Sequence, residues 1–137
     1  MSTGLESRKQ VVRDFLTALG KGDVAELARV LDPSVQAIAT GTSFMSGTRT
    51  YDEVLSTAGM LGAVTQNGIA FEILHLTAED DRVSAEVRGK STLVNGNPYN
   101  NEYHFLFTIP QDRIVRIGEY FCTKLAEESF GPLMAEA

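Results

Sequence analysis

The sequence is poor in cysteine, in positive charge and in long apolar segments. Cys122 is the only cysteine, so the chain cannot form an internal disulfide. No apolar run approaches the roughly 20 residues that a membrane-spanning helix needs. Lysine and arginine number 12 against 18 acidic residues, and they form no basic cluster, so we expect no nucleic-acid partner. The polar start MSTGLESRKQ lacks the apolar core of a secretory signal, which predicts a cytoplasmic protein that does not bind membranes.

Recognisable motifs for cofactors are also missing. The sequence has no phosphate-binding loop, dinucleotide fingerprint or nucleophile elbow. His75 and His104 have no carboxylate or cysteine at a ligand spacing, which predicts that there is no metal site. Cys122 has no obvious neighbouring base and is interpreted as a small buried residue. We therefore expect a function that needs no cofactor.

At 137 residues the chain suits one domain, residues 1–137. Apolar residues at helical spacing predict three helices, over about 5–19, 23–31 and 51–61. Alternating residues predict strands over about 35–40, 69–77, 82–94, 99–109 and 114–123, with a loop over 41–50. Helices followed by antiparallel strands predict an α+β fold.

Two strands near the end of the sequence each have one mostly apolar face. The first face carries Tyr99, Asn101, Tyr103, Phe105, Phe107 and Ile109, and the second carries Val115, Ile117, Glu119 and Phe121. Glu119 is the only charged residue of these two faces. A carboxylate in such surroundings loses hydration, so its pKa is expected to move toward neutrality. A general acid or base needs that property.

The Asn95-Gly96 pair predicts a hairpin with a two-residue loop. That loop would set Arg88 opposite Tyr103 and Glu86 opposite Phe105, so that both charged side chains face the pocket. Simple alternation supports the opposite arrangement, with apolar residues inward and polar residues outward: Val83, Ala85 and Val87 against Ser84, Glu86 and Arg88. The hairpin favours the first arrangement, because a sheet face continues across paired strands.

The next turn decides where Glu119 points. A three-residue loop over 110–112, with Asp112 near the left-handed region, would set Glu119 opposite Tyr103. A two-residue loop would turn Glu119 outward. The apolar residues that share its face favour the inward position.

One run of residues resembles a known family. Tyr99, Asn101 and Tyr103, then Phe107, then DRIVRIGEY and a short amphipathic tail resemble the SnoaL-like branch of the nuclear transport factor 2-like superfamily. The resemblance implies a cone-shaped, strongly curved sheet wrapped around three N-terminal helices, with a central pocket. It also implies a homodimer, which we expect to form through the outer face of the sheet.

Relatives within that superfamily imply different chemistries. Polyketide cyclases of the SnoaL type use an acidic residue on the last strand for proton transfer, which implies this role for Glu119. Limonene-epoxide hydrolase implies an acid–cation–acid set at Glu86, Arg88 and Glu119, although its partner residues on the first strand fall on Ala37 and Ala39. The acid/base residues of ketosteroid isomerase have no matching counterparts in this chain.

The principal hypothesis is a cofactor-independent acid/base enzyme of the isomerase, cyclase, dehydratase or other lyase type, acting on a hydrophobic cyclic or aromatic small molecule. Glu119 would move the proton, while Arg88 and Tyr103 would hold the oxygen on which charge develops. Asn101 and Glu86 would orient the ligand or its partners. The apolar lining would come from Phe15, Leu55, Phe105, Phe107 and Ile117. The alternatives are a non-catalytic small-molecule binding protein, an epoxide hydrolase and an association domain.

Overall fold

The computed structural model describes residues 2–135, which form helices on the concave side of a six-stranded sheet. In chain order the elements are α1 (Ser2–Lys21), α2 (Val24–Val30), β1 (Leu31–Ala39), β2 (Gly47–Arg49), α3 (Tyr51–Val64), β3 (Ala70–Glu79), β4 (Arg82–Thr92), β5 (Pro98–Thr108), β6 (Ile114–Phe121) and α4 (Thr123–Ala135). The strand order is β2-β1-β6-β5-β4-β3. β1 and β6 run parallel and the other neighbours antiparallel, so the predicted α+β fold with a curved mixed sheet is confirmed. None of the helices in this range is long and apolar enough to cross a membrane.

Two elements escaped the sequence-based prediction. β2 lies inside the segment 41–50 that was predicted as a loop, because a strand of three residues is too short to show alternation. α4 forms from the tail, although it contains Pro132. Both elements border the pocket described below.

Helices α2 and α3 each begin with a side-chain cap, which explains where they start. The Asp23 carboxylate accepts a hydrogen bond from the Glu26 N–H at 3.1 Å, at the beginning of α2. The Glu53 carboxylate accepts one from the Thr50 N–H at 2.9 Å, at the beginning of α3. Each cap satisfies a backbone donor that the helix itself leaves free.

α1 lies across the sheet and is tied to it at both ends. Its buried face carries Val12, Phe15, Leu16 and Ala18. Near its beginning, Arg8 Nε donates to the Ile109 carbonyl at 2.6 Å and Arg8 Nη2 donates to the Pro110 carbonyl at 2.8 Å. Near its end, the Ile69 N–H donates to the Gly20 carbonyl at 2.9 Å. A Cβ at Gly20 would collide with the Ile69 carbonyl, so the helix can approach this strand only with glycine there.

The β4–β5 hairpin has a loop one residue longer than predicted. The Leu93 N–H donates to the Asn97 carbonyl at 2.8 Å, and the Gly96 N–H donates to the Leu93 carbonyl at 2.9 Å. Gly96 has φ 88°, the left-handed conformation that ends a three-residue hairpin loop. A shift of one residue exchanges the two faces of a strand, so the predicted orientation of β4 is reversed.

The prediction that Arg88 and Glu86 face the pocket is therefore wrong. Val87 lies opposite Tyr103, and Arg88 lies opposite Glu102 on the outer face. Arg88 Nε is 4.0 Å from a Glu102 carboxylate oxygen there. Simple alternation describes β4 correctly: Val83, Ala85 and Val87 are buried, and Glu86 and Arg88 are exposed.

Glu119 faces the interior, but its partner on β5 differs from the predicted one. It lies opposite Phe105 and not Tyr103, because the connection between the strands covers residues 109–113 and is longer than predicted. The register differs by two residues, which preserves the face. Asp112 is not in the left-handed region: among residues 2–135, the only non-glycine residue with positive φ is Asp80, in the β3–β4 turn.

Gly89 on β4 makes room for the ring of Tyr103. A Cβ at this position would lie 2.9 Å from Tyr103 Cε1 and 3.1 Å from Ile69 Cγ2. The aromatic ring therefore sits where a side chain of β4 would otherwise be. This contact holds Tyr103 against the sheet.

We predict that Gly89→Ala lowers the free energy of unfolding by about 1–3 kcal/mol, because the added methyl group overpacks this contact. Gly59→Ala is the matched control, since Gly59 lies in α3 with no atom within 4 Å of an added Cβ. The control should raise the free energy of unfolding by about 0.5–1 kcal/mol through better helix propensity. Urea unfolding measures both, and an unchanged or stabilised Gly89→Ala variant would contradict the described packing.

Candidate functional site

A cavity lies between the concave face of the sheet and helices α1, α3 and α4. Its empty volume is about 740 Å³, counted out to its open mouth. The wall is mostly apolar: Phe15, Leu19, Ala37, Ala39, Met45, Val54, Leu61, Ile69, Phe71, Phe105, Phe121 and Phe130. The polar exceptions are Arg49, Thr57, Tyr99, Tyr103 and Glu119.

β6 places Glu119 on the pocket wall, between Ala39 of β1 and Phe105 of β5. The side chain is only partly accessible, and it lines the cavity. In the described part of the chain, no hydrogen bond or ion pair involves its carboxyl group. Burial raises the pKa of Glu119, and the positive charge of Arg49 offsets part of that rise. Glu119 is thus an available carboxyl group in apolar surroundings.

Arg49 is the cation of this pocket, a role that the sequence analysis gave to Arg88. It lies on β2 opposite Ala37 of β1, while Ala39 of the same strand lies opposite Glu119. Because β1 lies between them, the backbones of Arg49 and Glu119 are separated by roughly 10–12 Å, two strand spacings and a short offset. Arg49 Nη2 donates to the Met45 carbonyl at 2.7 Å. The β1 residues at these two register positions, Ala37 and Ala39, both line the cavity.

Behind the pocket wall, one buried amide organises two tyrosines. Asn101 Nδ2 donates to the Tyr99 hydroxyl at 2.9 Å and to the Cys122 carbonyl at 3.1 Å. The Tyr103 hydroxyl also donates to the Tyr99 hydroxyl, at 3.0 Å. Asn101 Oδ1 accepts from the Glu102 N–H at 2.8 Å, which fixes the orientation of the amide. Asn101 therefore acts on the tyrosines and does not line the cavity.

Both tyrosines remain protonated at neutral pH and are held by aromatic contacts. Burial raises the pKa of Tyr99 and the pKa of Tyr103, and the charge of Glu119 adds to both rises. Tyr99 packs on Phe130 of α4 with ring centroids 4.7 Å apart. Tyr103 stacks on Phe105 at 5.4 Å. Two phenol groups with fixed rings thus border the cavity.

The structure brings some of the predicted site residues together and separates the rest. Those that line the cavity are Glu119, Tyr103, Phe15 and Phe105. Those in the adjacent core or behind the wall are Phe107, Ile117, Leu55 and Asn101. Those on the outer face are Arg88 and Glu86.

The sequence analysis missed three polar residues of the cavity wall: Arg49, Thr57 and Tyr99. Tyr99 shares the inward face of β5 with Tyr103, so strand alternation was a signal for it. The sequence offers only a weak indication of Arg49: it lies a few residues after Phe44 and Met45, the two large apolar residues of an otherwise polar predicted loop. The apolar wall also includes Met45 and Phe130, from segments without a predicted strand or helix.

The two histidines and the cysteine lie away from the pocket. His104 Nε2 and the Ser84 hydroxyl are 2.6 Å apart on the exposed outer face, and His75 Nε2 is 3.8 Å from a Glu86 carboxylate oxygen. Cys122 is exposed and not buried as predicted, because it follows the last residue of β6. Between residues 2 and 135, no three His, Cys, Asp or Glu side chains are grouped in a way that could hold a metal ion.

The family assignment follows from a match over most of the chain. The profile of the SnoaL-like domain matches residues 12–117. The chain belongs to the SnoaL-like domain family. The matched range ends just before Glu119, so the end of β6 and all of α4 lie beyond it. The uncharacterized protein Rv0034 of Mycobacterium tuberculosis strain ATCC 25618 / H37Rv is 27% identical over 122 residues, which cover 88% of this chain and 92% of that protein.

Solved structures share the fold of this SnoaL-like protein at low sequence identity. Bal32a, from a soil-derived mobile gene cassette, has a TM-score of 0.80 at 21% identity and covers 91% of this chain and 97% of its own. PrhC of Penicillium brasilianum NBRC 6234 has a TM-score of 0.83 at 16% identity, covering 97% and 91%. TerC, co-crystallized with polyporic acid, has a TM-score of 0.76 at 14% identity, covering 89% and 96%. These likenesses show the fold.

We predict that Glu119→Gln stabilises the fold at alkaline pH and not at acid pH. The pKa of Glu119 is raised above its ordinary value of 4.5, so the ionised form destabilises the folded state as the pH rises through the folded pKa. At pH 8 the variant should gain about 1.4 kcal/mol for each unit by which the pKa is raised. At pH 4, below the ordinary pKa of 4.5, the Glu119 carboxyl group is mostly protonated in both the folded and the unfolded state. The stability difference between the variant and the parent protein should therefore nearly vanish.

Urea unfolding at pH 4, 6 and 8 measures this difference. Glu86→Gln is the control, because Glu86 is an exposed glutamate on the outer face of the same sheet. A stability difference that stays constant with pH for Glu119→Gln would contradict the raised pKa.

Proposed function

We propose that this SnoaL-like protein is a cofactor-independent acid/base enzyme, of the isomerase, cyclase, dehydratase or other lyase type, that acts on a hydrophobic cyclic or aromatic small molecule. One observation carries the proposal: a single carboxyl group, that of Glu119, stands on an apolar pocket wall without a hydrogen bond or ion pair in the described part of the chain. A carboxylate without a protein partner is free to take a proton from a bound ligand. Its raised pKa makes it a stronger base than an exposed glutamate.

The other polar groups of the pocket suit the same chemistry. When a base removes a proton from a carbon next to a carbonyl group, negative charge develops on the carbonyl oxygen, and hydrogen-bond donors stabilise it. The tyrosine pair, Tyr99 and Tyr103, can supply one such donor, because the Tyr103 hydroxyl donates its proton to the Tyr99 hydroxyl. Arg49 supplies the positive charge first assigned to Arg88. The enolate is then reprotonated at another carbon or expels a leaving group, with Glu119 returning the proton. The apolar wall keeps water away from these steps.

Two further findings bear on the proposal. TerC, which shares this fold, was co-crystallized with polyporic acid, and this supports a small-molecule ligand for the pocket. The acid–cation–acid set implied by limonene-epoxide hydrolase does not assemble, because Glu86 and Arg88 lie on the outer face. The structure therefore gives no support to epoxide hydrolysis.

A non-catalytic binding protein is the second candidate. This function is favoured by the composition of the pocket wall, which is mostly apolar and has few polar groups. Such a pocket can bind a ring compound without transforming it. In that case Glu119 would only tune affinity. The experiment below separates the two functions.

We predict that the protein catalyses exchange of the α-hydrogens of 2-tetralone, a bicyclic aromatic ketone, with D₂O. Glu119→Gln should lower the enzymatic exchange rate by about 100-fold or more, the size expected for loss of a general base. In the parent protein the rate should rise with pH and level off above the pKa of Glu119. Proton NMR of the ketone measures the exchange.

Glu86→Gln is the matched control and should exchange 2-tetralone at the parent rate, because Glu86 is on the outer face. Equal exchange rates for the parent protein and Glu119→Gln would contradict the proposed role of Glu119. Binding of 2-tetralone without any exchange above the buffer rate would favour the non-catalytic binding protein.

We also propose a homodimer through the outer face of the sheet. Ile38, Gly118 and Leu106 lie side by side on β1, β6 and β5, and the neighbouring Tyr120 is 49% exposed. An apolar strip of this kind is suited to pairing with a second copy. We predict a dimer in light scattering that Tyr120→Glu converts to monomer, because the added charge would be buried in the interface. A monomeric parent protein, or a dimer unaffected by this change, would contradict the assignment.

A further inference from the structure

We infer that the ligand is a ring compound with two oxygen functions: an acidic oxygen held by Arg49 and a second oxygen that accepts a hydrogen bond from Tyr99. This assigns the donor role to Tyr99, where the sequence analysis chose Tyr103. The inference rests on the proposed function in one respect, since it takes the cavity beside Glu119 to be the ligand site.

Tyr99 has one hydrogen-bonding function left for a ligand. Its hydroxyl oxygen accepts from Asn101 Nδ2 at 2.9 Å and from the Tyr103 hydroxyl at 3.0 Å. A phenol can donate one hydrogen bond in addition to those it accepts. Within residues 2–135 no acceptor is placed to receive the Tyr99 O–H, and Tyr99 lines the cavity. Its proton is therefore directed at the ligand space.

Asn101 is the positioning residue that sets this direction. An amide nitrogen can only donate, so Tyr99 must accept from it. The amide cannot exchange its ends, because Oδ1 accepts from the Glu102 N–H and Nδ2 also donates to the Cys122 carbonyl. With Tyr103 donating to Tyr99 as well, the proton of Tyr103 is used inside the protein. Two donors on one phenol oxygen also polarise its O–H and strengthen the bond that it gives.

Arg49 offers the second contact point. Its guanidinium uses one N–H donor on the Met45 carbonyl, and across the described ranges its other donors have no acceptor. Planar N–H pairs of this kind match the two oxygens of a carboxylate. When Glu119 is protonated, Arg49 carries the only charge of the pocket wall, so an anionic oxygen neutralises it. A neutral ligand would leave the charge of Arg49 without a partner whenever Glu119 is protonated.

The cavity wall between Arg49 and Glu119 leaves space for a ring. Arg49 and Glu119 lie on either side of β1, and the side chains between them, Ala37 and Ala39, are the smallest of the pocket wall. A flat ring can lie over these alanines with its acidic oxygen toward Arg49. Its other oxygen then points away from Arg49 along the cavity. Tyr99 lines the same cavity from β5, six residues before Phe105, which pairs with Glu119. A ligand with only one oxygen function would satisfy one end of the site.

Three related compounds test the inference by isothermal titration calorimetry: 4-oxochroman-2-carboxylate, which has both oxygen functions, 4-chromanone, which has only the ketone, and chroman-2-carboxylate, which has only the acid. We expect the first to bind about 10-fold or more tightly than either of the others, since each added hydrogen bond to a charged or polarised group is worth about that factor. Equal affinities for the three compounds would overturn the inference.

The variants assign each oxygen to its partner. With Arg49→Met, 4-oxochroman-2-carboxylate should no longer bind more tightly than 4-chromanone. Arg49→Lys, which keeps the charge, should retain part of that difference in affinity. Arg88→Met, the matched arginine on the outer face, should change nothing. With Tyr99→Phe, 4-oxochroman-2-carboxylate should no longer bind more tightly than chroman-2-carboxylate. Tyr103→Phe should reduce that difference in affinity by clearly less. Thermal unfolding of each variant verifies that it is folded.

The outcomes separate this inference from the proposed function. If Arg88→Met weakens binding as much as Arg49→Met, or Tyr103→Phe more than Tyr99→Phe, the assignment of contacts is wrong. If the preference for two oxygens holds but neither 2-tetralone nor 4-oxochroman-2-carboxylate exchanges the hydrogens next to its ketone above the buffer rate, the acid/base function fails and the ligand class stands. If exchange depends on Glu119 but the three compounds bind equally, the ligand class fails and the acid/base function stands.

Discussion

The pocket depends on the separation of two opposite charges by two very small side chains. Ala37 and Ala39 face inward from β1, with Arg49 on one side and Glu119 on the other. Larger residues there would fill the space over which a ligand can lie. A direct ion pair would satisfy both groups and lower the pKa of Glu119. By keeping the groups a strand apart, the sheet leaves each of them with unused hydrogen-bonding capacity.

Keeping a carboxyl group in this position has an energetic cost that the surrounding packing offsets. Burial disfavours the ionised form of Glu119, and in the described residues nothing but the more distant Arg49 compensates for it. The neighbouring polar groups are arranged differently, since Asn101 and the two tyrosines satisfy one another almost completely. The aromatic rings around them supply the burial that stabilises this part of the fold. Within residues 2–135, the site thus combines one unpaired acid with a hydrogen-bond network that leaves the Tyr99 O–H free to donate.

Most of the strand faces could be predicted, because a register error of two residues preserves a face, whereas an error of one residue reverses it. Glu119 was assigned to the correct face although its partner on β5 was wrong by two residues. On β4 an error of one residue at the Asn95-Gly96 loop reversed the face and moved Arg88 out of the pocket. Arg49 could not be predicted from alternation, because β2 has three residues and its pairing with β1 is set by tertiary contacts. The sequence therefore indicated the acid of the site and not its cation.

The last helix has a consequence for how proteins of this fold can diverge. Phe130 of α4 packs on Tyr99 and forms part of the pocket wall, yet this helix lies beyond the segment that matches the family. The sheet and the first helices are interlocked by backbone hydrogen bonds, so they resist insertions and deletions. Because α4 follows the last strand of the sheet, a shorter, longer or different helix at this position disturbs no strand pairing. Changes in this helix can therefore alter the size of the pocket while Arg49 and Glu119 stay fixed in the sheet.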